Sequence, residues 1–416
     1  MAETRAVFYT PTFSVADQET RELCELWGEA INLLPATPIK SDKILILLAS
    51  FLSVVMKLKA KNRNLVVWPH DDAHWSQYPA VGKDIVNRFR EALIEAGWLT
   101  LWAGAEFREK ATVYRIREDL LSYEGKLFEP YAPLVIIKNE KDKFRSADGA
   151  AKSMGTREAK RIFGKRYEKD EARMERLREV WIEHPLTLES GSSFCSATRI
   201  YNDGKMDRGG RLYGGWQTEK EIHRVKSTID GEAVAEIDLR ACNLVLLSGL
   251  TGTPMPSRKF EDPYRLLPCV LEAPEKRGLV KEISIKLIGS GNPIKRRSTE
   301  LMEMLKLEEY KAIRDELHHQ FPALLRMNEE GLDSNGLAYH ESEIVIATIE
   351  GLKCQGVVAY PMHDAILVKA VHADQAAFEL RQQFSNYVRQ VSGMPLLPSV
   401  TIQGSDGVEA AVPGWC

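Results

Sequence analysis

The chain has 416 residues, 44% of them hydrophobic, and its 56 Lys and Arg against 59 Asp and Glu leave a net charge of −3. That length holds two or three domains with a sizeable core, and the charge excludes a cationic nucleic-acid coat, so nucleic-acid contact would use local basic patches. The cysteines (24, 195, 242, 269, 354 and 416) show neither metal-ligand spacing nor a disulfide framework, and no secretory signal is read, which predicts a reducing cytoplasm. The longest apolar run, residues 44–56 (ILILLASFLSVVM), is shorter than the roughly 20 residues a bilayer requires. It reads as a buried core helix, and no membrane partner is expected.

Residues 1–40 read as an N-terminal helical extension, with a helix around 18–34 closed by Pro35 and Pro38. The next segment, 41–118, opens with Ser41 as an N-cap for the apolar helix, followed by a polar, aromatic loop over 68–78. A helix over 81–96 (VGKDIVNRFREALIEA) has apolar residues at helical spacing and Gly97 as its stop signal. Two alternating strands, 98–102 and 111–116, are joined by a charged loop. This order resembles a winged-helix domain. The resemblance implies a groove-entering helix carrying or adjoining Lys83, Arg88 and Arg90, with Arg108 and Lys110 in the wing; use in protein contacts alone is the alternative. His70, Asp71, Asp72 and His74 fit no zinc spacing and read as a solvated turn.

Residues 119–190 read as a linker and a basic helical connector, with a short strand over 134–137, a charged stretch over 138–145 and a helix over 156–181 stopped by Pro185. Arg157, Lys160, Arg161 and Lys165 at i, i+3, i+4 and i+8 would share one helical face, as a thumb gripping phosphates or as an exposed face held by ion pairs. From residue 191 to 416 the chain reads as its largest domain. Its first segment interleaves Arg199, Lys205, Arg208 and Arg211 with Tyr201, Tyr213 and Trp216 among many glycines, a composition suited to tracking a nucleic-acid backbone and stacking on bases.

Two short strands further on each carry one aspartate: 234–239 (VAEIDL) with Asp238, and 356–370 (GVVAYPMHDAILVKA), where two apolar runs flank His363-Asp364. A charge at the centre of an apolar strand is costly to bury unless it is paired or binds a cation. Taken singly, Asp238 reads rather as a cap on the helix that follows it and His363-Asp364 as a hairpin turn. Between them Arg277, Lys281 and Ile285 are spaced by four, so both cations project from one helical face that ends at the 289–293 break (GSGNP), an arrangement that reads as a triphosphate clamp or as a solvated basic stripe in a generally basic region. Helices are also expected over 300–317, 342–352 and 373–391, Glu341 is expected on the surface, with a reach to template or sugar as the alternative, and the tail from Ser392 reads as irregular.

The ordered set Gly210-Arg211-Leu212-Tyr213, Arg224, Asp238, Asp262-Pro263-Tyr264, Arg277 with Lys281, and His363-Asp364 resembles the family A DNA polymerases and the single-subunit phage-type RNA polymerases, over roughly residues 199–391. The resemblance implies an α+β right-hand palm with helical fingers. It places Asp238 and Asp364 as ligands of Mg²⁺, with Mn²⁺ as an alternative ion, and Arg277 and Lys281 as contacts to the incoming nucleotide, Lys281 also in catalysis. Asn243 and Ile285 fall at the family's nucleotide-binding positions. Arg211, Tyr213 and Arg224, together with Lys83 and Arg88 of the first domain, are expected to contact nucleic acid.

The chain departs from that pattern at three places. Asn243 stands where the DNA enzymes usually have a glutamate that screens out ribose, Ile285 and Gly289 stand where bulky residues stack on the nascent base pair, and Ala365 stands where an acid often follows the second aspartate. Sugar choice is therefore open. The expected function is template-directed nucleotidyl transfer by a DNA polymerase or primase-like enzyme of a plasmid, phage or other mobile element, acting on template and primer strands and nucleoside triphosphates. A polymerase core decayed to a binding or regulatory protein and a metal-dependent nuclease are the alternatives.

Overall fold

In this computed structural model residues 7–70, 72–78, 80–103, 111–140, 153–189, 191–292, 297–327, 331–405 and 409–415 are described, and their secondary structure is mixed α/β. The chain divides into two units, residues 1–199 with 214–219 and residues 200–213 with 220–416. Among the described residues no helix is long and apolar enough to cross a membrane.

In the first unit the apolar run lies inside the helix Pro38–Ala60, where every residue from Ile44 to Val55 is buried. The helix starts three residues before Ser41. Proline is pre-organised for a first helical position, and the Ser41 hydroxyl instead donates to the Ala36 carbonyl at 3.1 Å. The stretch read as a loop from residue 68 to 78 instead starts with the end of a fully buried strand, Leu65–Pro69, which lies antiparallel to Ala111–Ile116, and continues into a short helix, Asp72–Trp75. Ala111–Ile116 also pairs with Leu99–Ala103, and Val7–Phe8 adds a parallel edge to Leu65–Pro69. The helix Lys83–Glu95 precedes the hairpin, with Gly97 in the left-handed region at φ 72° closing the turn as expected. Arg108 and Lys110 lie outside the described residues.

His70 is not part of a solvated turn. Arg90 donates to its Nδ1 at 3.0 Å and its Nε2 meets the Thr112 hydroxyl at 2.6 Å, so both ring nitrogens are engaged; Asp71 lies outside the described residues. The basic connector is two helices, Thr156–Phe163 and Lys165–Glu183, because Gly164 between them has φ 49° and ψ −126°. Arg157, Lys160 and Arg161 therefore sit on a different helix from Lys165, and Lys160 is paired with Glu171 at 2.7 Å. No side chain crowds Gly164, so its cost to substitute is purely conformational. Gly164→Ala is expected to destabilise this unit by about 1–3 kcal/mol in urea denaturation.

Three residues read as a stacking surface are core. Arg199 is fully buried against Asp170 at 2.7 Å, Tyr201 is buried, and Trp216 is buried with its ring against Phe194 and Trp181. The neighbouring glycines serve that packing, since a Cβ on Gly214 would stand 2.0 Å from the Trp216 ring and one on Gly215 2.0 Å from Phe194. Arginines interleaved with aromatics describe a buried ion pair in an aromatic core as well as they describe an RNA- or DNA-facing surface, and sequence alone does not separate the two.

The second unit is built on Glu232–Leu239, which pairs along one edge with Ala365–Lys369 and along the other with Thr228–Ile229 and then Val400–Gln403, all antiparallel. Ala359–Met362 extends the sheet beyond Ala365–Lys369, and Glu409–Val412 extends it beyond Val400–Gln403. The tail is thus not irregular: it supplies two strands of the central sheet, because its short apolar runs are completed by a strand 160 residues earlier rather than by local partners. Ala235, Ile237 and Leu239 are buried, and three helices, Cys242–Leu250, Ser334–Cys354 and Ala373–Ser392, pack together in this unit. Ser334–Cys354 begins well before residue 342, at an Asp333 cap whose carboxylate accepts from the Asn335 and Gly336 amides. The 300–317 segment is likewise two helices, Thr299–Met304 and Leu307–Gln320.

Candidate active site

Side chains alternate along a strand, so Glu236 and Asp238 share one face of Glu232–Leu239 while Ala235, Ile237 and Leu239 fill the other. Asp238 stands opposite Ala365 on one neighbour and Thr401 on the other. His363 and Asp364 form the two-residue turn between Met362 and Ala365, with His363 at φ 57°, so the turn sets Asp364 immediately beside the residue that faces Asp238. The two predicted aspartates, 126 positions apart in sequence, are brought together by one register.

Burial raises the Asp238 carboxyl, the charges of Asp364 and Glu236 raise it further, and Lys281 and Arg240 pull it back. Asp364 is also raised by burial, against the pull of Arg211, His363 and Lys281. Two half-buried carboxylates that each disfavour the other's charge fit a hard divalent cation, whose oxygen preference matches this donor set and whose charge removes the repulsion.

Behind them lie two further acids. Glu236 is held by Arg224 through two bonds of 3.0 Å, and Arg224 is itself buried. Glu341 is 0% exposed, not a surface residue, and both of its oxygens accept from Arg211 at 2.6 Å. Burial pushes Glu341 up to about 7, with Arg211 pulling it down and Asp364 adding repulsion. Arg211 and Arg224, expected to contact nucleic acid, are thus paired with the buried Glu341 and the half-buried Glu236 beside the aspartates. Period-2 alternation in VAEIDL already placed Glu236 with Asp238, and Leu337, Ala338, Glu341, Val345 at helical spacing already placed Glu341 on an apolar face.

A cleft of about 350 Å³ opens on Asp238, with Arg240, Tyr264, Arg265, Arg277 and Lys281 around it. Asp262, buried, is the anchor for its basic wall: Arg277 Nε donates to it at 2.6 Å, and Arg265 and Arg240 lie at 3.7 and 3.9 Å. Asp262 also caps its own turn by accepting from the Tyr264 amide. Arg240 is also paired with Glu409, which lines the cleft, so two carboxylates face three guanidinium groups and Lys281, and the wall keeps net positive charge beside Asp238. Lys281, exposed, has no hydrogen bond or ion pair among the described residues. Ala241 turns the chain from the strand into the helix Cys242–Leu250 in the left-handed region, φ 51° and ψ 38°, a conformation uncommon for alanine and located at the cleft.

The remaining predicted residues are scattered. Asn243 is half-buried on the first turn of Cys242–Leu250, and Ile285 is 47% exposed on the helix Arg277–Ser290, but neither lines the cleft. Tyr213 is 40% exposed, with its ring edge-on to His363 at 5.9 Å. Lys83 and Arg88 are exposed on Lys83–Glu95 in the first unit. A second, larger cleft of about 620 Å³ is lined by Lys220, Ile222, Val225 and Lys226, and among the described residues no cluster of acids converges on it.

No protein-family profile matches the chain, and no curated protein matches it. Among solved structures, the polymerase domain of Pol1 from M. smegmatis, in complex with DNA primer-template and dNTP, is similar over 98% of this chain and 80% of that one, at 12% identity and a TM-score of 0.33. The functional reading therefore rests on the cleft residues themselves.

Proposed function

We propose that this protein is a template-directed nucleotidyltransferase whose second unit is a palm, with the helix Arg277–Ser290 as its fingers. The observation that carries the reading is the meeting of Asp238 and Asp364 beneath a cleft walled by Arg240, Arg265, Arg277 and Lys281. Asp238 and Asp364 would hold Mg²⁺ or Mn²⁺, which supplies charge neutralisation at the attacking and leaving oxygens. Phosphoryl transfer is mostly positioning and charge neutralisation. Arg277, fixed by Asp262 and lying over the Tyr264 ring at 5.8 Å, orients the polyphosphate, and Lys281, which is unanchored, follows the negative charge that grows on the departing pyrophosphate. Arg211 and Arg224 hold the supporting acids in place. In the first unit the exposed Lys83 and Arg88 are assigned to nucleic-acid phosphates within a winged-helix arrangement.

The test is incorporation of labelled nucleotides by the full chain with Mg²⁺ or Mn²⁺, offering deoxy- and ribonucleotides separately on primed and unprimed templates. Extension that disappears in Asp364→Asn supports the reading. Nucleotide release from DNA without triphosphates identifies a nuclease instead, and binding without either reaction identifies a polymerase-derived binding protein.

Lys281 and Arg277 divide the work in a way kinetics can resolve. Lys281→Ala is expected to leave the melting temperature unchanged and lower the rate of incorporation on the order of 10²-fold. Arg277→Ala is expected to raise the nucleotide KM about tenfold and also to lower stability, since Asp262 is buried and loses its closest cation. Steady-state kinetics with parallel thermal melts checks both.

A further inference from the structure

Cys242 opens the helix that follows Asp238, and the mechanism above has no use for it. Its side chain is 3% exposed and its thiol has no hydrogen-bond partner among the described residues. Its Sγ, a Glu341 carboxylate oxygen and an Asp364 carboxylate oxygen all lie within 4.8 Å of one another. Beside this group the His363 Nδ1 is likewise buried without a hydrogen-bond partner among the described residues. A buried thiol facing two carboxylates is a poor site for Mg²⁺ and a good one for a softer divalent ion, because thiolate selects Zn²⁺ or Cd²⁺ over hard cations.

We infer that Cys242, Glu341 and Asp364 form a site for a thiophilic divalent cation of the Zn²⁺ class, which shares Asp364 with the catalytic centre and thereby blocks it. Glu341 binds without releasing Arg211: its two oxygens offer about four lone-pair positions, and the Arg211 pair uses two. The same pair holds the carboxylate in one orientation, as outer partners do for metal ligands generally. Binding converts the thiol to a metal thiolate and releases its proton to solvent, with no change of oxidation state. Inhibition by the soft cation follows because Asp364 serves one cation at a time. That last point rests on the proposed function, whereas the existence of the site does not.

Cd²⁺ is the probe, because its thiolate complex absorbs in the ultraviolet whether or not the protein turns over substrate. In the full chain with Cys269, Cys354 and Cys416 replaced by serine, titration is expected to give a thiolate charge-transfer band saturating at one Cd²⁺ per chain. Cys242→Ser and, as a second variant against misfolding, Cys242→Ala are expected to abolish it while melting as the parent does. Glu341→Gln, which replaces a charged ligand by a neutral amide, is expected to weaken binding by at least the roughly tenfold that loss of a ligand's outer partner costs. Excess Mg²⁺ is expected to shift the Cd²⁺ titration to higher concentration. A band that persists without Cys242, or no band in the parent, overturns the site; a Cd²⁺ affinity indifferent to Mg²⁺ overturns the sharing of Asp364. The band with no nucleotide incorporation would leave the site standing and sink the functional reading alone.

Discussion

Asp238→Asn is expected to make the metal-free protein more stable while removing its activity. Asp238 is raised by burial and by the charges of Asp364 and Glu236, and Asp364, Glu236 and Glu341 are raised as well, in each case by burial first. A carboxyl whose pKa is higher folded than unfolded contributes stability that is fully present below the unfolded value near 4 and is lost as pH rises through the folded value. These groups should therefore stabilise the metal-free protein fully up to about pH 4 and progressively less toward pH 8, lowering its melting temperature across that range. Asparagine keeps the shape, carries no charge and can donate to Asp364, so the variant should gain about 1–3 kcal/mol at pH 7 and show a flatter pH profile. Divalent cation should stabilise the parent at pH 8 by mass action and the variant much less. Loss of a cation ligand should cost several kcal/mol of transition-state stabilisation, on the order of 10³-fold in incorporation rate. Thermal melts across pH with and without Mg²⁺ check the first half and primer extension the second; a variant no more stable than the parent at pH 7 would show that the carboxylates are already relieved by their neighbours.

The second large effect falls on the pair behind the aspartates, and it is asymmetric. Arg211→Ala strands Glu341, which is fully buried, and should cost about 3–5 kcal/mol. Glu341→Ala leaves an arginine whose side chain is 28% exposed and can recover water, so it should cost clearly less. The double replacement Arg211→Met with Glu341→Leu should regain most of the loss, because two well-packed apolar residues need no charge compensation. Urea denaturation of the single and double variants measures the coupling. Equal losses in the two single variants would mean that the cost is lost packing and not an unpaired charge.

Several features were readable in the primary structure for local reasons. Apolar runs marked the strand bearing Asp238 and the two strands flanking Asp364, the spacing of four aligned Arg277 with Lys281, and the apolar run at 44–56 announced a core helix; each depends on residues only a few positions apart. The break at Gly164 was missed because glycine inside a basic, helix-favouring stretch costs only about 1 kcal/mol, too little to end the pattern on paper. The strand Leu65–Pro69 and the strand Val400–Gln403 were missed because their hydrogen-bond partners lie far away in the chain, at Ala111–Ile116 and Glu232–Leu239.

The sequence by itself determined which residue types are present for chemistry at a cleft: two aspartates in or between apolar strands, a cationic helix face and arginines interleaved with aromatics. Only the tertiary structure decided how those charges are spent. Arg199, Arg211 and Arg224 carry the same side chain, yet one is paired with Asp170 in a core, and two hold the acids behind Asp238 and Asp364. An arginine's charge is fixed by its covalent structure, but its partner is set by burial, because a guanidinium removed from water must find a carboxylate and the nearest one is supplied by the fold.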